Sequence, residues 1–195
     1  MAIRYIVGVD EAGRGPLAGP VSVGAICVPI SFPKSFLKGV KDSKKLSKKK
    51  REEWFSKIKS ASNKKLSYQF SFATAHTIDK RGIVRAVSLS ISRALSRFHV
   101  SPIKTLVLLD GGLKAPSRYP HQKTIIGGDE KEPLIALASI VAKVLRDRRM
   151  VRYAKFHPRY SFEVHKGYGT ALHRKLLKKY GPSIIHRRSF IKNLK

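Results

Sequence analysis

The stretch IRYIVGVDEAGRGPLAGPVSVGAICV, residues 3–28, carries two β-rich runs on either side of a turn. Residues 3–9 (IRYIVGV) and 21–28 (VSVGAICV) are rich in β-branched side chains, which suit a pleated, half-buried surface. Between them, GRGPLAGP is made of residues that punctuate the chain, so the runs are predicted to be separate strands able to pair as neighbours. Further along, Leu66, Tyr68, Phe70 and Phe72 alternate with Ser67, Gln69 and Ser71, the period of a strand with one buried face. Residues 105–109 (TLVLL) predict another strand, and 124–126 (TII) is a short apolar run ending in GGDE.

Helical signals fill the intervals. Ser47 has the residue type of an N-cap for the basic helix KKKREEWFSKIK at 48–59. Ile83, Ala86, Val87, Ile91, Ala94, Leu95 and Phe98 recur at three- and four-residue spacing, the stripe of an amphipathic helix. From Pro133, LIALASIVAKVLRDRRM is apolar first and basic later, so its first half should face the sheet. ALHRKLLKKY at 171–180 is a final helix, with Gly181-Pro182 as its stop. Strands that alternate with helices after an initial hairpin predict an α/β fold with a mixed central sheet flanked by helices. Residues 1–195 are expected to form a single domain, with about 155–195 as a C-terminal helical and loop extension.

Composition narrows the class of partner. Lys and Arg number 41 against 12 Asp and Glu, a formal net charge of +29, which concentrates polyanions at the surface and points to nucleic acid. No apolar run reaches the ~20 residues that a bilayer span requires, and the N-terminus lacks a secretion signal, so a soluble cytoplasmic protein without membrane attachment is expected. The single cysteine, Cys27, sits in an alternating apolar run and reads as core.

Because acids are scarce, their positions are informative. Asp10-Glu11 closes IVGV, Asp110 closes TLVLL and Asp129 follows TIIGG, so each lies at or just past the C-terminal end of a run. Ligands of open α/β sheets bind outside those ends, and the carboxylates are expected to converge in one cleft. For any one of them a turn-closing or helix-capping role is the equal alternative; three strand ends together favour a shared site. Such a cluster needs cations, and hard oxygen donors without cysteines suit Mg²⁺ or Mn²⁺. Adjacent strand residues point to opposite faces, so Asp10 and Glu11 share the site only if the strand ends there or the longer Glu11 bends round. The glycines that follow favour the first option.

These residues resemble a known family. DEAGRGPLAGPV at 10–21, DSKKLS at 42–47, LLDGG at 108–112, GGDEKEPLIALASIVAKVLRDRRM at 127–150 and HKGYGTALH at 165–173 are similar, in order and spacing, to type 2 ribonuclease H (ribonuclease HII) over nearly the whole chain. The resemblance implies a ribonuclease H-like fold with a C-terminal helical extension. It implies endonucleolytic hydrolysis of the RNA strand of RNA–DNA hybrids, and nicking 5′ to ribonucleotides embedded in duplex DNA, with 3′-hydroxyl and 5′-phosphate products. That activity would serve removal of ribonucleotides from DNA. The resemblance makes Asp10, Glu11, Asp110 and Asp129 both the catalytic and the metal-binding set. Gly13, Arg14 and Gly15 match the motif that reads the ribose 2′-hydroxyl by close backbone approach; without the family they would be only a turn. Tyr168 matches the tyrosine that packs on the neighbouring deoxyribose. Ser43, Lys44, Lys45, Lys143 and Arg146 are candidates for phosphate contacts.

Two positions depart from the family pattern: Gly127 stands where lysine is usual, and His165 where asparagine is common. Asp147, among arginines, reads as an ion-pair partner; His157, His173 and His186 read as loop, helix or surface residues. The competing class is a basic protein that coats RNA or hybrids without cutting. Within enzymes the competitor is type 3 ribonuclease H, whose N-terminal substrate-binding domain the nine residues before Asp10 leave no room for. A monomer is the expected state, and SFIKNLK shows no evident clamp-binding peptide.

Overall fold

The computed structural model describes residues 2–40, 43–62 and 65–192. Asp42, first in the DSKKLS motif, and Asn193, Leu194 and Lys195 of the terminal peptide lie outside the described residues.

The two opening runs are strands β1 (Tyr5–Ala12) and β2 (Val21–Pro29), paired antiparallel with Asp10 opposite Gly24 and Glu11 opposite Val23. Helix α1 (Lys48–Ala61) follows, capped by the Ser47 hydroxyl, which accepts from the Lys50 amide at 3.2 Å. Strand β3 (Ser67–Ala73) lies antiparallel to β2. Next come α2 (Ala75–Arg81), capped by Thr74, and α3 (Ile83–Leu95). Strand β4 (Thr105–Asp110) runs parallel to β1, and β5 (Gln122–Ile125) parallel to β4. After them come the single-turn α4 (Gly128–Lys131) and the long α5 (Pro133–Phe156). The C-terminal part holds α6 (Phe162–His165), α7 (Ala171–Tyr180) and α8 (Arg188–Ile191). The described strands form one sheet in the order β3-β2-β1-β4-β5, the mixed, helix-flanked sheet expected of the sequence.

Alternation along the strands divides the core into two layers. Val7 and Val9 of β1 join Val21, Val23 and Ala25 of β2 against Ile91 and Leu95 of α3. Each such fully buried aliphatic side chain contributes about 2 kcal/mol. On the other face Ile26 and Val28 pack with Phe55 and Ile58 of α1 and with Leu137, Ile140 and Val141 of α5.

Two glycines set the distance of α5 from the sheet. A Cβ on Gly8 would lie 2.4 Å from the Leu134 carbonyl, and one on Gly24 would lie 2.3 Å from the Ala138 oxygen. The helix backbone therefore rests directly on β1 and β2, which brings its residues Ser139 and Lys143 to the end of β1. Helix α5 runs to Phe156, past the basic segment ending at Met150, because no breaker occurs before Pro158. The extra turns carry the C-terminal part through a small cluster of Ala18, Met150, Tyr160, Phe162 and Ile185. No described helix is long and apolar enough to cross a membrane.

Candidate active site

Parallel pairing of β1 with β4 stops at Val9–Leu109, so the next residues of the two strands, each still paired on its other side with Gly24 or Ile125, part from one another at the same end of the sheet. Asp10 and Asp110 are those residues. Asp129 reaches them from the first turn of α4, just after β5. Asp10, Asp110 and Asp129 each present a carboxylate oxygen within 4.8 Å of the others. Asp10 and Asp129 are buried; Asp110 is partly exposed. Backbone amides aim two of them: Glu11 donates to Asp10 Oδ1 at 2.6 Å, and Gly128 donates to Asp110 Oδ1 at 2.7 Å. The Lys44 ammonium pairs with Asp129 Oδ2 at 3.0 Å.

Glu11 departs from the expected geometry. Strand β1 does not end at Asp10 but continues to Ala12 through its pairing with β2. Alternation therefore sends Glu11 toward the opposite face, and its carboxylate stands outside the triplet while still lining the same cleft. One oxygen meets Arg14 Nη1 at 3.4 Å; the other is buried and has no hydrogen-bond partner.

The electrostatics of this corner call for a cation. Burial, and after it the charges of Glu11, Asp110 and Asp129, push the Asp10 carboxyl well above the usual carboxylate range. Burial also raises Glu11, against the lowering effect of Arg14. A carboxylate triplet with an orphaned glutamate oxygen beside it is a donor set that fits hard divalent ions.

The cleft, about 420 Å³, brings Asp10, Glu11 and Asp110 together with Gly13, Arg14, Ser43, Lys44, Lys143 and Tyr168. Of the other residues picked from the sequence, Asp129, Gly15, Lys45 and Arg146 are outside its lining, Asp129 joining the site through the carboxylate triplet. Lys45 pairs with the exposed Glu130 at 2.8 Å. Ser43 is buried, with its hydroxyl 2.5 Å from that of Ser139. Arg51, not singled out in the sequence, holds the 43–46 turn by donating to the carbonyls of Ser43 (2.8 Å) and Leu46 (2.5 Å). Lys143 pairs with Asp147 at 3.0 Å one helical turn away, which gives Asp147 the ion-pair role expected of it, with a lysine as partner.

Beneath the Gly13–Gly15 turn lie two buried arginines without a carboxylate partner among the described residues. Arg146 Nε donates to the Pro20 carbonyl at 2.9 Å, and Nη2 to those of Lys166 (3.0 Å) and Ala18 (3.4 Å). Its Nη1 is buried and unpartnered. Gly13 has φ of +93°, and a Cβ there would fall 2.0 Å from Arg146 Nε. Arg187 donates from Nε to Gly19 (3.0 Å), from Nη1 to Arg14 (2.7 Å) and from Nη2 to Gly13 (2.6 Å). A trans peptide plane points its C=O and N–H in opposite directions. With the carbonyls of Gly13 and Arg14 drawn to Arg187, the amides of Arg14 and Gly15 point away from it. Burial, and then the neighbouring Arg146, lowers the Arg187 guanidinium below its ordinary range.

Tyr168 stands at the other wall, 39% exposed, with Lys143 Nζ 5.5 Å and Arg146 Cζ 5.4 Å from its ring. Behind it lie two histidines: His173 is on helix α7, as a helix residue, and His186, read as a surface residue, is instead buried with it, their Nε2 atoms 3.0 Å apart. At the first position that departs from the family pattern, Gly127 has φ of +63°, a left-handed conformation that suits glycine.

The family model for ribonuclease HII matches residues 7–193 of the chain. A ribonuclease HII of Caldicellulosiruptor bescii is 46% identical over 191 residues, 98% of this chain and 88% of that protein. The crystal structure of ribonuclease H2 from Pyrococcus horikoshii superposes with a TM-score of 0.74 at 27% identity, covering 95% of this chain and 93% of that one. A chain in the PCNA:RNase HII complex from Archaeoglobus fulgidus gives 0.76 at 27% identity, covering 97% and 95%.

Proposed function

The chain belongs to the ribonuclease HII family, and from that premise we propose that it hydrolyses the RNA strand of RNA–DNA hybrids and nicks duplex DNA 5′ to embedded ribonucleotides. The observation that carries this reading is the carboxylate triplet of Asp10, Asp110 and Asp129 at adjacent strand ends, with Glu11 beside it. These four residues would hold Mg²⁺ or Mn²⁺, and two such ions supply the Lewis acidity that activates water and stabilises the departing 3′ oxygen.

The remaining parts select and place the substrate. The outward amides of Arg14 and Gly15 in the Gly13-Arg14-Gly15 turn suit recognition of a ribose 2′-hydroxyl, the group that distinguishes RNA from DNA. Tyr168 packs on the deoxyribose beside the ribonucleotide, where an aromatic face rejects a bulkier sugar. Ser43, Lys44, Lys45 and Lys143 are assigned to phosphates. Arg146, fully buried, is assigned to holding the turn from beneath and not to a phosphate. Residues 1–195 act as one unit and as a monomer. The net charge of +29 favours a nucleic-acid duplex as the partner.

The test is a DNA duplex with one ribonucleotide in one strand. The parent should nick it in Mg²⁺ or Mn²⁺, leaving 3′-hydroxyl and 5′-phosphate ends, and Asp10→Asn should lose on the order of a thousandfold in rate. Full activity in Asp10→Asn, or none in the parent with either ion, would overturn the assignment.

A further inference from the structure

Three histidines from separate segments meet behind Tyr168. His165 closes α6, His173 lies in the first turn of α7, and His186 precedes Arg187. All are buried. The rings of His165 and His173 stack at 4.2 Å and 13°, and His186 lies 5.2 Å from His173. Phe162 and Tyr160 close the cluster, Phe162 at 5.6 Å from both His173 and His186 and Tyr160 at 4.9 Å from His186.

Hydrogen bonds assign the proton on each ring. His186 Nδ1 accepts from the Ser183 amide at 2.9 Å, so its proton sits on Nε2 and is donated to His173 Nε2 at 3.0 Å. His173 accepts there, so its own proton sits on Nδ1, 2.9 Å from the Tyr168 carbonyl. His165 Nδ1 accepts from the Gly167 amide at 3.1 Å, and its Nε2 donates to the Tyr160 carbonyl at 2.7 Å. Every ring nitrogen has a partner, and all three rings are neutral. The ionisable groups facing them are Glu163 and Lys166 for His165, and Arg188 and His157 for His186.

Two of these bonds, to the Gly167 amide and the Tyr168 carbonyl, bracket the residue whose ring stands at the cleft. The turn they hold is strained. Lys166 has φ of +52° and Gly167 of +84°, and the left-handed conformation costs a non-glycine residue about 1 kcal/mol or more. External bonds are therefore needed to keep Tyr168 at one height.

We propose that His173, with its tautomer set by His186 and its ring stacked on His165, is a positioning residue for Tyr168 and thereby for the preference for a deoxyribose beside the ribonucleotide. This rests on the reading of Tyr168 given above. Breaking the bond to the Tyr168 carbonyl lets the tyrosine ring drift over the junction while leaving the carboxylates in place.

The measurement is kcat/KM on a single-ribonucleotide duplex relative to a uniform RNA–DNA hybrid. His173→Phe keeps a ring but no donor, and should lower that ratio by about tenfold. His173→Asn, whose amide replaces Nδ1–H, should restore most of it. In Tyr168→Ala the ratio should fall, and adding His173→Phe should lower it no further. Nitrogen-15 spectra of the parent at neutral pH should show His173 protonated on Nδ1 and His186 on Nε2, a readout that stands even if His173→Phe fails to fold. The opposite tautomer on His173 overturns the proposal. So does a fall in ratio for Tyr168→Ala with none for His173→Phe. An unchanged ratio in Tyr168→Ala overturns the reading of Tyr168 itself, and the proposal with it.

Discussion

The guanidinium of Arg187 donates to the carbonyl of Gly13 at 2.6 Å, joining residues 174 positions apart in the chain. With its bonds to Arg14 and Gly19, it makes the C-terminal segment a structural part of the turn proposed to read ribose. Arg187→Met removes every donor and leaves buried carbonyls unpaired. The expected cost is about 3 kcal/mol in unfolding free energy, with a fall in kcat/KM of roughly tenfold to a hundredfold as the amides of Arg14 and Gly15 lose their direction. Urea denaturation and steady-state cleavage check the two effects, and a variant as stable and active as the parent refutes the linkage.

Gly24 offers a second test, through packing alone. A Cβ at this position meets the Ala138 oxygen at 2.3 Å and the Ala142 nitrogen at 2.8 Å, both in helix backbone that cannot swing aside. Gly24→Ala should lift α5 from β2 and cost about 3 kcal/mol. Since α5 carries Ser139 and Lys143 into the cleft, activity should fall with stability. Thermal melts and cleavage rates measured together decide it; an unchanged melting temperature would show that the helix is not seated as described.

How much of this was legible in the sequence follows from how local each signal is. Asp10, Asp110 and Asp129 could be picked out because each closes a short apolar run and acids are scarce, so strand ends and rarity coincide. The end of β1 could not be read, because the length of the strand is decided by its antiparallel partner: β2 pairs as far as Ala12 although β4 has already stopped at Val9. Helix α2 has only seven residues, too few for periodicity to show, and it was not expected from the sequence. Arg187 and the histidine cluster had no local signal at all. Each gathers partners from distant segments, and buried arginines and histidines run against the prior that such residues face water.

The histidines also predict how stability varies with pH. Burial, ahead of every other cause, lowers both His173 and His186 to about 4 in the folded chain, against about 6.5 when unfolded. Above the unfolded value both states are neutral and the contribution is fully present. As pH falls from about 6.5 toward 4, the unfolded chain takes up protons first, so stability declines across that window and the decline from these groups ends below it. His165, lowered in the same direction, adds to this slope, while the raised carboxyls of Asp10 and Glu11 oppose it, so the readout is the difference between parent and variant: removing one ring in His173→Phe should reduce the protons taken up on unfolding by about one. Denaturation midpoints of both proteins across the window give that difference, and an identical slope in His173→Phe would contradict the buried neutral pair.

The last expectation concerns the cation already present at the carboxylates. The Lys44 ammonium lies 3.0 Å from Asp129 Oδ2, at the edge of the triplet proposed to hold metal. Any divalent ion drawing on that oxygen competes with it. The lysine side chain is 74% exposed, so water screens the pair and the competition is weak. Lys44→Ala should therefore lower the Mn²⁺ concentration giving half-maximal cleavage by only about twofold to fivefold. The same substitution removes a positive charge from the cleft wall, so KM for the duplex should rise while the metal requirement falls. These opposite movements separate a lysine that both competes with metal and meets phosphate from one that does neither. Titrating Mn²⁺ at saturating duplex, and duplex at saturating Mn²⁺, reads each in turn. A variant that needs more metal than the parent would mean that Lys44 supports the ion's site instead of competing for it.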